Sequence, residues 1–240
     1  MKEAIDVDIV FASLAEISEL ARLRARLTDI ERQRVDGYKV REPRETSLLA
    51  RALLRTELAR RVGVGLLDLS FDLRTSGKPD LRLHDTTLPD WRFSVSHTGP
   101  HVVIALVRGH DVGIDIERLD RLAAPLDIAT RFFTPKEVAH LKATPQSHLH
   151  RTFFAGWTRK EAIVKARGIT MAESLATLTV ELDPGAQHPG YEDAPDVGER
   201  GQCKLTTFEI PDHRLMGAVA VLGEREPRLN LRMVSDETFD

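Results

Sequence analysis

Strand-like apolar runs fill the middle of the chain, and helix-spaced apolar stripes flank them. Trp91 to His97, His101 to Val107 and Val112 to Glu117 read as three strands. Thr98-Gly99-Pro100 and Gly109-His110-Asp111 separate them with turn chemistry, which predicts an antiparallel meander. In the third run Val112, Ile114 and Ile116 alternate with Gly113, Asp115 and Glu117. Strand side chains alternate with period two, so the two acids share one face.

Leu48, Leu49, Ala52, Leu53 and Leu58 form the stripe of a helix from Ser47 to about Val62, with Gly63 at the C-cap position. A second helix runs from about Thr152 to near Gly168, and a shorter one covers Ile128 to Phe133. Thr134-Pro135-Lys136-Glu137 is a helix start: an N-cap, a first-turn proline and the glutamate of a capping box. Near the N-terminus, Val7 to Phe11 reads as a strand, and Ser13 and Glu16 have capping-box spacing for a helix through about Leu27. The polar stretch after Gly63 holds the turn Ser76-Gly77-Lys78-Pro79-Asp80. Asp183 to Gly201, rich in Pro, Gly and acids, predicts a mobile loop. Lys204 to Ile210 and Leu215 to Leu222 are closing strands around Pro211-Asp212-His213-Arg214.

Helix Ser47–Val62 precedes the strand–turn–strand Phe93–Val107, and helix Thr152–Ala166 precedes Leu205–Val221. This repetition predicts an α+β fold of two similar halves, 1–112 and 113–240, each an antiparallel sheet packed with helices. Two unrelated helix-plus-hairpin units in one domain would give the same pattern.

The composition is that of a soluble globular protein, with 42% hydrophobic and 30% charged residues in 240. A formal charge of −3 argues against a nucleic-acid coat protein. The single Cys203 excludes an internal disulfide and a cysteine zinc cluster. No apolar run is long enough to span a membrane, and the acids in Met1–Asp8 do not suit a signal peptide. A cytoplasmic protein is expected.

Two close carboxylates repel unless a positive group neutralises them, and magnesium does so through carboxylate oxygens. Asp115 and Glu117 are such a pair, although exposed strands often carry acids. Trp157, Glu161 and Lys165 follow at i, i+4 and i+8 on one helix face. Glu161 and Lys165 alone would be a surface ion pair. Beside Trp157, which marks a buried side, Glu161 is a candidate third metal ligand and Lys165 a phosphate contact. His148 and His150, two residues apart, read as surface residues. Arg32, Arg34, Lys39, Arg41 and Arg44 form a basic run, either a solvated face or a phosphate holder. Neither a P-loop nor a Rossmann glycine motif occurs.

Together the motifs resemble the Sfp-type 4′-phosphopantetheinyl transferases. Their order is Gly77-Lys78-Pro79, Phe93-Ser94-Val95-Ser96-His97-Thr98-Gly99, Gly113-Ile114-Asp115-Ile116-Glu117, Arg131-Phe132-Phe133 and Trp157-Thr158-Arg159-Lys160-Glu161-Ala162. The match runs from the Ser47-Leu48-Leu49 helix to Met233-Val234-Ser235. The resemblance implies a monomer with a pseudo-twofold fold and coenzyme A between its halves. It implies Mg2+-dependent transfer of the phosphopantetheine arm to a serine of an acyl or peptidyl carrier protein, releasing adenosine 3′,5′-bisphosphate. By this likeness Asp115, Glu117 and Glu161 hold the metal. Lys165 contacts the phosphates, and Arg44, Ser47, Lys78, Pro79, Ser96, His97 and Thr98 bind coenzyme A. Glu117, or a water on the metal, is the candidate base.

One departure stands out. The family commonly carries an arginine two residues before the Leu-Leu pair, where this chain has Thr46; Arg44 or Arg41 is the expected substitute. Leu119, Leu122, Leu126, Phe132 and Phe133 offer apolar contacts to a carrier, with Phe132 and Phe133 favoured as core. Arg118 and Arg121 are the candidate charged contacts. Fatty-acid, polyketide and nonribosomal-peptide carriers all fit. A metal-dependent nuclease and a non-catalytic carrier-binding module compete with this reading. The lack of a basic stripe counts against the first, and the complete set of acids and lysine against the second.

Overall fold

A computed structural model describes residues 3–74, 77–82, 87–120, 124–170, 175–194 and 201–239. Strand β1 (Ile5–Ser13) leads into a short 3-10 turn over Leu14–Glu16, then helices α1 (Leu20–Ala25) and α2 (Asp29–Asp36). The expected single helix from Ser13 to Leu27 is therefore broken. Ser13 caps only Ala15 N–H, and Ser18 is drawn out of helical register by Asp236, whose carboxylate accepts its N–H at 3.0 Å. The working capping box lies further on, where Thr28 and Glu31 satisfy each other at the start of α2.

Helix α3 spans Arg41–Val62 and begins a turn and a half before Ser47, so Arg41 and Arg44 sit in its first turn rather than in a preceding loop. It ends at Gly63, whose φ of +81° suits a residue without a β-carbon. The polar stretch that follows holds a hairpin, β2 (Ser70–Leu73) with β3 (Pro79–Arg82). Ser76 of the expected turn lies outside the described residues.

Strands β4 (Trp91–Thr98) and β5 (His101–Arg108) form the predicted hairpin, and β5 pairs antiparallel with β1. Strand β6 (Val112–Arg118) corrects the meander. It pairs with β10 (Leu215–Leu222), not with β5, and β10 pairs with β9 (Cys203–Ile210). Between them run α4 (Pro125–Phe132), α5 (Pro135–Ala143) and α6 (Gln146–Arg167). The capping box at Thr134 forms as the sequence predicts. The expected loop after Asp183 carries a short strand, β8 (Tyr191–Asp193), paired with β7 (Leu178–Val180); residues 195–200 lie outside the description.

The last strand, β11 (Pro227–Met233), lies beside β1, and Val234 N–H donates to Phe11 O just beyond it. The chain divides into two compact units, one of Asp6–Gly109 with Leu229–Asp240, the other of Met1–Ile5 with His110–Arg228. Each is α+β, with its own core and a 22-residue helix on an antiparallel sheet: α3 on β4 and β5, α6 on β6 and β10.

Candidate active site

Val112, Ile114 and Ile116 on β6 are fully buried and anchor the strand. The opposite face is also covered, because Gly113 lets helix α6 lie directly on the strand. A β-carbon there would stand 2.0 Å from Ala162 O and 2.4 Å from Ala166 N, both backbone atoms that cannot yield. This contact places Glu161 and Lys165 of α6 over Asp115 and Glu117 of β6. The acids are thus not on a solvated face: Asp115 is 5% exposed, Glu161 4%, and Glu117 half-buried.

Lys165 Nζ donates to Asp115 Oδ1 at 2.7 Å and to Ile114 O at 3.2 Å. The lysine thus pairs across to the strand. Burial pushes the Glu161 carboxyl up to about 7; Asp115 adds to the rise, Lys165 opposes it, and Glu117 adds a smaller push. Three hard oxygen donors in one another's field fit a hard divalent cation, which would relieve their repulsion. Among the described residues, however, no three acids, histidines or cysteines are already drawn into a metal-holding cluster. Lys165 serves as the counter-ion of Asp115.

Trp157 stands one turn before Glu161. Its ring stacks with Phe153 and Phe133, at 5.9 and 6.4 Å between centroids, and meets Phe132 edge-on at 5.7 Å. Phe133 is core and Phe132 packs partly buried against it. This aromatic group fixes the part of α6 that leads into the site.

The sequence reading passed over the residues that hold α6 from other sides. Lys160 is fully buried, and its Nζ donates to Glu137 Oε2 at 2.7 Å, to Leu175 O at 2.8 Å and to Leu178 O. Glu137 meanwhile caps α5 at Thr134 and accepts Val180 N–H at 2.8 Å. Arg159 donates to Glu181 O, Asp183 O and Ala186 O, and burial pushes its guanidinium down to about 10. The available signal was two adjacent cations in a helix flanked on both sides by apolar residues, Phe153 to Trp157 and Ala162 to Val164; cations buried there must find partners.

The expected coenzyme-binding residues lie in the other unit. Arg44 is exposed in the first turn of α3, and Ser47 is buried in the next. Thr46 Oγ1 donates to Gly99 O at 3.0 Å, which brings the start of α3 to the turn after Ser96, His97 and Thr98. Ser96 and Thr98 are buried on β4, whereas His97 is exposed. Lys78 is half-buried just ahead of Pro79, on the hairpin strand that packs beside β4. His148 is exposed and His150 half-buried at the start of α6. Of the candidate carrier contacts, Leu119, Leu126 and Phe132 are partly buried, and Arg118 pairs with Asp120 at 3.1 Å; Arg121 and Leu122 lie outside the described residues.

Residues 15–108 match the family described as 4′-phosphopantetheinyl transferase, N-terminal, and residues 111–206 match the 4′-phosphopantetheinyl transferase superfamily. A 4′-phosphopantetheinyl transferase of Bacillus subtilis is 30% identical over 200 residues, covering 83% of this chain and 84% of its own. The 4′-phosphopantetheinyl transferase HetI of Nostoc sp. is 31% identical over 208 residues, covering 86% and 83%. A holo-(acyl-carrier-protein) synthase structure from Bacillus anthracis, in complex with CoA (3′,5′-ADP), aligns at 27% identity and a TM-score of 0.37. That alignment covers 47% of this chain and 94% of the other.

Proposed function

Since the chain belongs to the 4′-phosphopantetheinyl transferase family, we propose that it moves the 4′-phosphopantetheine group of coenzyme A onto a serine hydroxyl of an apo carrier protein, with Mg2+ and with release of adenosine 3′,5′-bisphosphate. One observation supports this more than any other. The match extends over both halves, and the two motifs with acid chemistry meet at one place, β6 against α6.

In this reading Asp115, Glu117 and Glu161 hold the metal, which when bound would neutralise charge on the diphosphate oxygens. Lys165 supplies a second positive charge, a point cation suited to a phosphate oxygen. Glu117, the least buried of the three acids, takes the proton from the attacking serine. Burial of Asp115 and Glu161 under α6 strengthens the electrostatic interactions at the site. The bond formed is serine oxygen to the phosphorus bearing the pantetheine arm. The bond broken joins that phosphorus to the bridging oxygen, which leaves with adenosine 3′,5′-bisphosphate. The same reading makes the protein a monomeric cytoplasmic enzyme that acts on carrier proteins and binds neither nucleic acid nor membrane. No helix of the described residues is long and apolar enough to cross a membrane.

The test is intact mass of an apo carrier protein after incubation with this protein, coenzyme A and magnesium. The expected result is a gain of one phosphopantetheine, lost with chelator and in Glu161→Ala. No gain across several unrelated carriers would overturn the reading.

A further inference from the structure

We propose that the outer edge of strand β7, with the groove beside it between α5 and the β7–β8 ribbon, docks an extended basic segment of a partner protein, which adds to the ribbon as a third strand. The site lies wholly within the unit that holds His110–Arg228, and it does not depend on the transferase reading.

Strand β7 is paired with a strand on one side only. Thr177 O accepts Ala194 N–H, and Glu181 N–H donates to Gly190 O, so the odd-numbered residues turn their backbone groups to β8. In an antiparallel pair the residues between them turn theirs the other way. On that side the first rung is closed by side chains. Leu178 O accepts Lys160 Nζ, and Val180 N–H donates to Glu137 Oε1 at 2.8 Å. The buried Lys160–Glu137 pair thus stands where a neighbouring strand would. The next rung is open: Val180 O and Leu182 N–H meet no partner among the described residues. An unpaired strand edge of this kind is a template for another chain.

Space adjoins the open rung. A groove of about 500 Å3 takes in Val180 and Leu182; α5 lines it with Lys136 and His140, and β8 with Tyr191 and Glu192. Charge then selects the occupant. Glu181, Asp183 and Glu192 are exposed acids on this groove, against the one exposed lysine, Lys136. Glu137 is neutralised by Lys160. The acids favour lysine or arginine side chains on the incoming strand. A second copy of this chain is a poor occupant, because its own β7 edge would bring Glu181 and Asp183 against the same acids.

The experiment titrates the full chain into two fluorescein-labelled hexapeptides, one alternating valine with lysine and one alternating valine with glutamate, and follows fluorescence anisotropy. Valine is β-branched and favours the extended conformation. The lysine peptide is expected to bind saturably with a Kd on the order of 100 µM, and the glutamate peptide roughly tenfold or more weakly. Bound lysine peptide slows hydrogen exchange of the Leu182 amide several-fold. Glu192→Lys, a surface change, weakens the lysine peptide roughly fivefold. A lysine peptide methylated on its backbone nitrogens keeps the charge, loses the N–H donors and does not bind. Equal binding of the two charged peptides, no saturable binding of either, full binding of the methylated peptide, or binding that leaves Leu182 exchange unchanged would overturn the proposal. Self-association of this chain that slows the same amide would also overturn it, by giving the groove to a second copy.

Discussion

Lys165 Nζ and Asp115 Oδ1 stand 2.7 Å apart, joining the last turns of α6 to the middle of β6. The lysine side chain is 27% exposed and the aspartate side chain 7%. A cation held by Asp115 competes with Lys165 for the same oxygen. We therefore expect Lys165→Ala to act in two directions. Transfer slows roughly a hundred- to a thousandfold through the lost phosphate contact. The magnesium concentration for half-maximal rate falls, because the rival cation is gone. Titration of initial rate against magnesium checks both, and an unchanged kcat rules out the phosphate role.

Glu161 gives a pH signature. Its carboxyl is raised from 4.5 to about 7, so between those values the folded protein holds a proton that the unfolded chain has lost. Raising pH through that window removes stability, on the order of 3 kcal/mol in total, with the loss complete above about 7. In chelator, Glu161→Gln lacks this term. Denaturant unfolding at pH 5 and pH 8 should show the variant gaining on wild type as pH rises. A constant difference between the two proteins contradicts the assignment.

Gly113 is the contact that makes the site. Gly113→Ala puts a methyl group into the backbone of α6 at Ala162 and Ala166. A cost of about 3 kcal/mol is expected, with transfer lost even where the protein remains folded, because α6 must move off β6. Urea unfolding and the mass assay check the two parts separately.

Lys160 and Glu137 form a fully buried pair, so breaking it from one side differs from removing it. Lys160→Met alone should cost about 3–5 kcal/mol by leaving Glu137 buried without its cation. Lys160→Met with Glu137→Leu should recover part of that, less the lost cap at Thr134. A double variant no more stable than the single one would show that the capping role of Glu137 dominates.

Arg118 lies just past the acids and pairs with Asp120 at the surface. Arg118→Glu is expected to raise the KM for carrier protein severalfold while leaving that for coenzyme A within twofold. Equal shifts in both would remove Arg118 from the docking face.

The sequence alone determined the helices α3 and α6, the capping box at Thr134, the β4–β5 and β9–β10 hairpins and the family. Each depends on residues close in the chain: apolar spacing, a glycine stop, a turn, an ordered set of short motifs. It also placed Asp115 and Glu117 on one strand face and Glu161 and Lys165 on one helix face, since period alone sets those relations.

The tertiary structure decided which faces meet. No local signal says that β6 leaves β5 to pair with β10, that β11 joins β1, or that Asp236 breaks the first helix at Ser18. These contacts join residues far apart in sequence, and their energy appears only when both partners are packed. The same holds for the site. Asp115 and Glu161 become buried neighbours because Gly113 admits the backbone of α6, and that contact turns four ordinary charged residues into one coupled group.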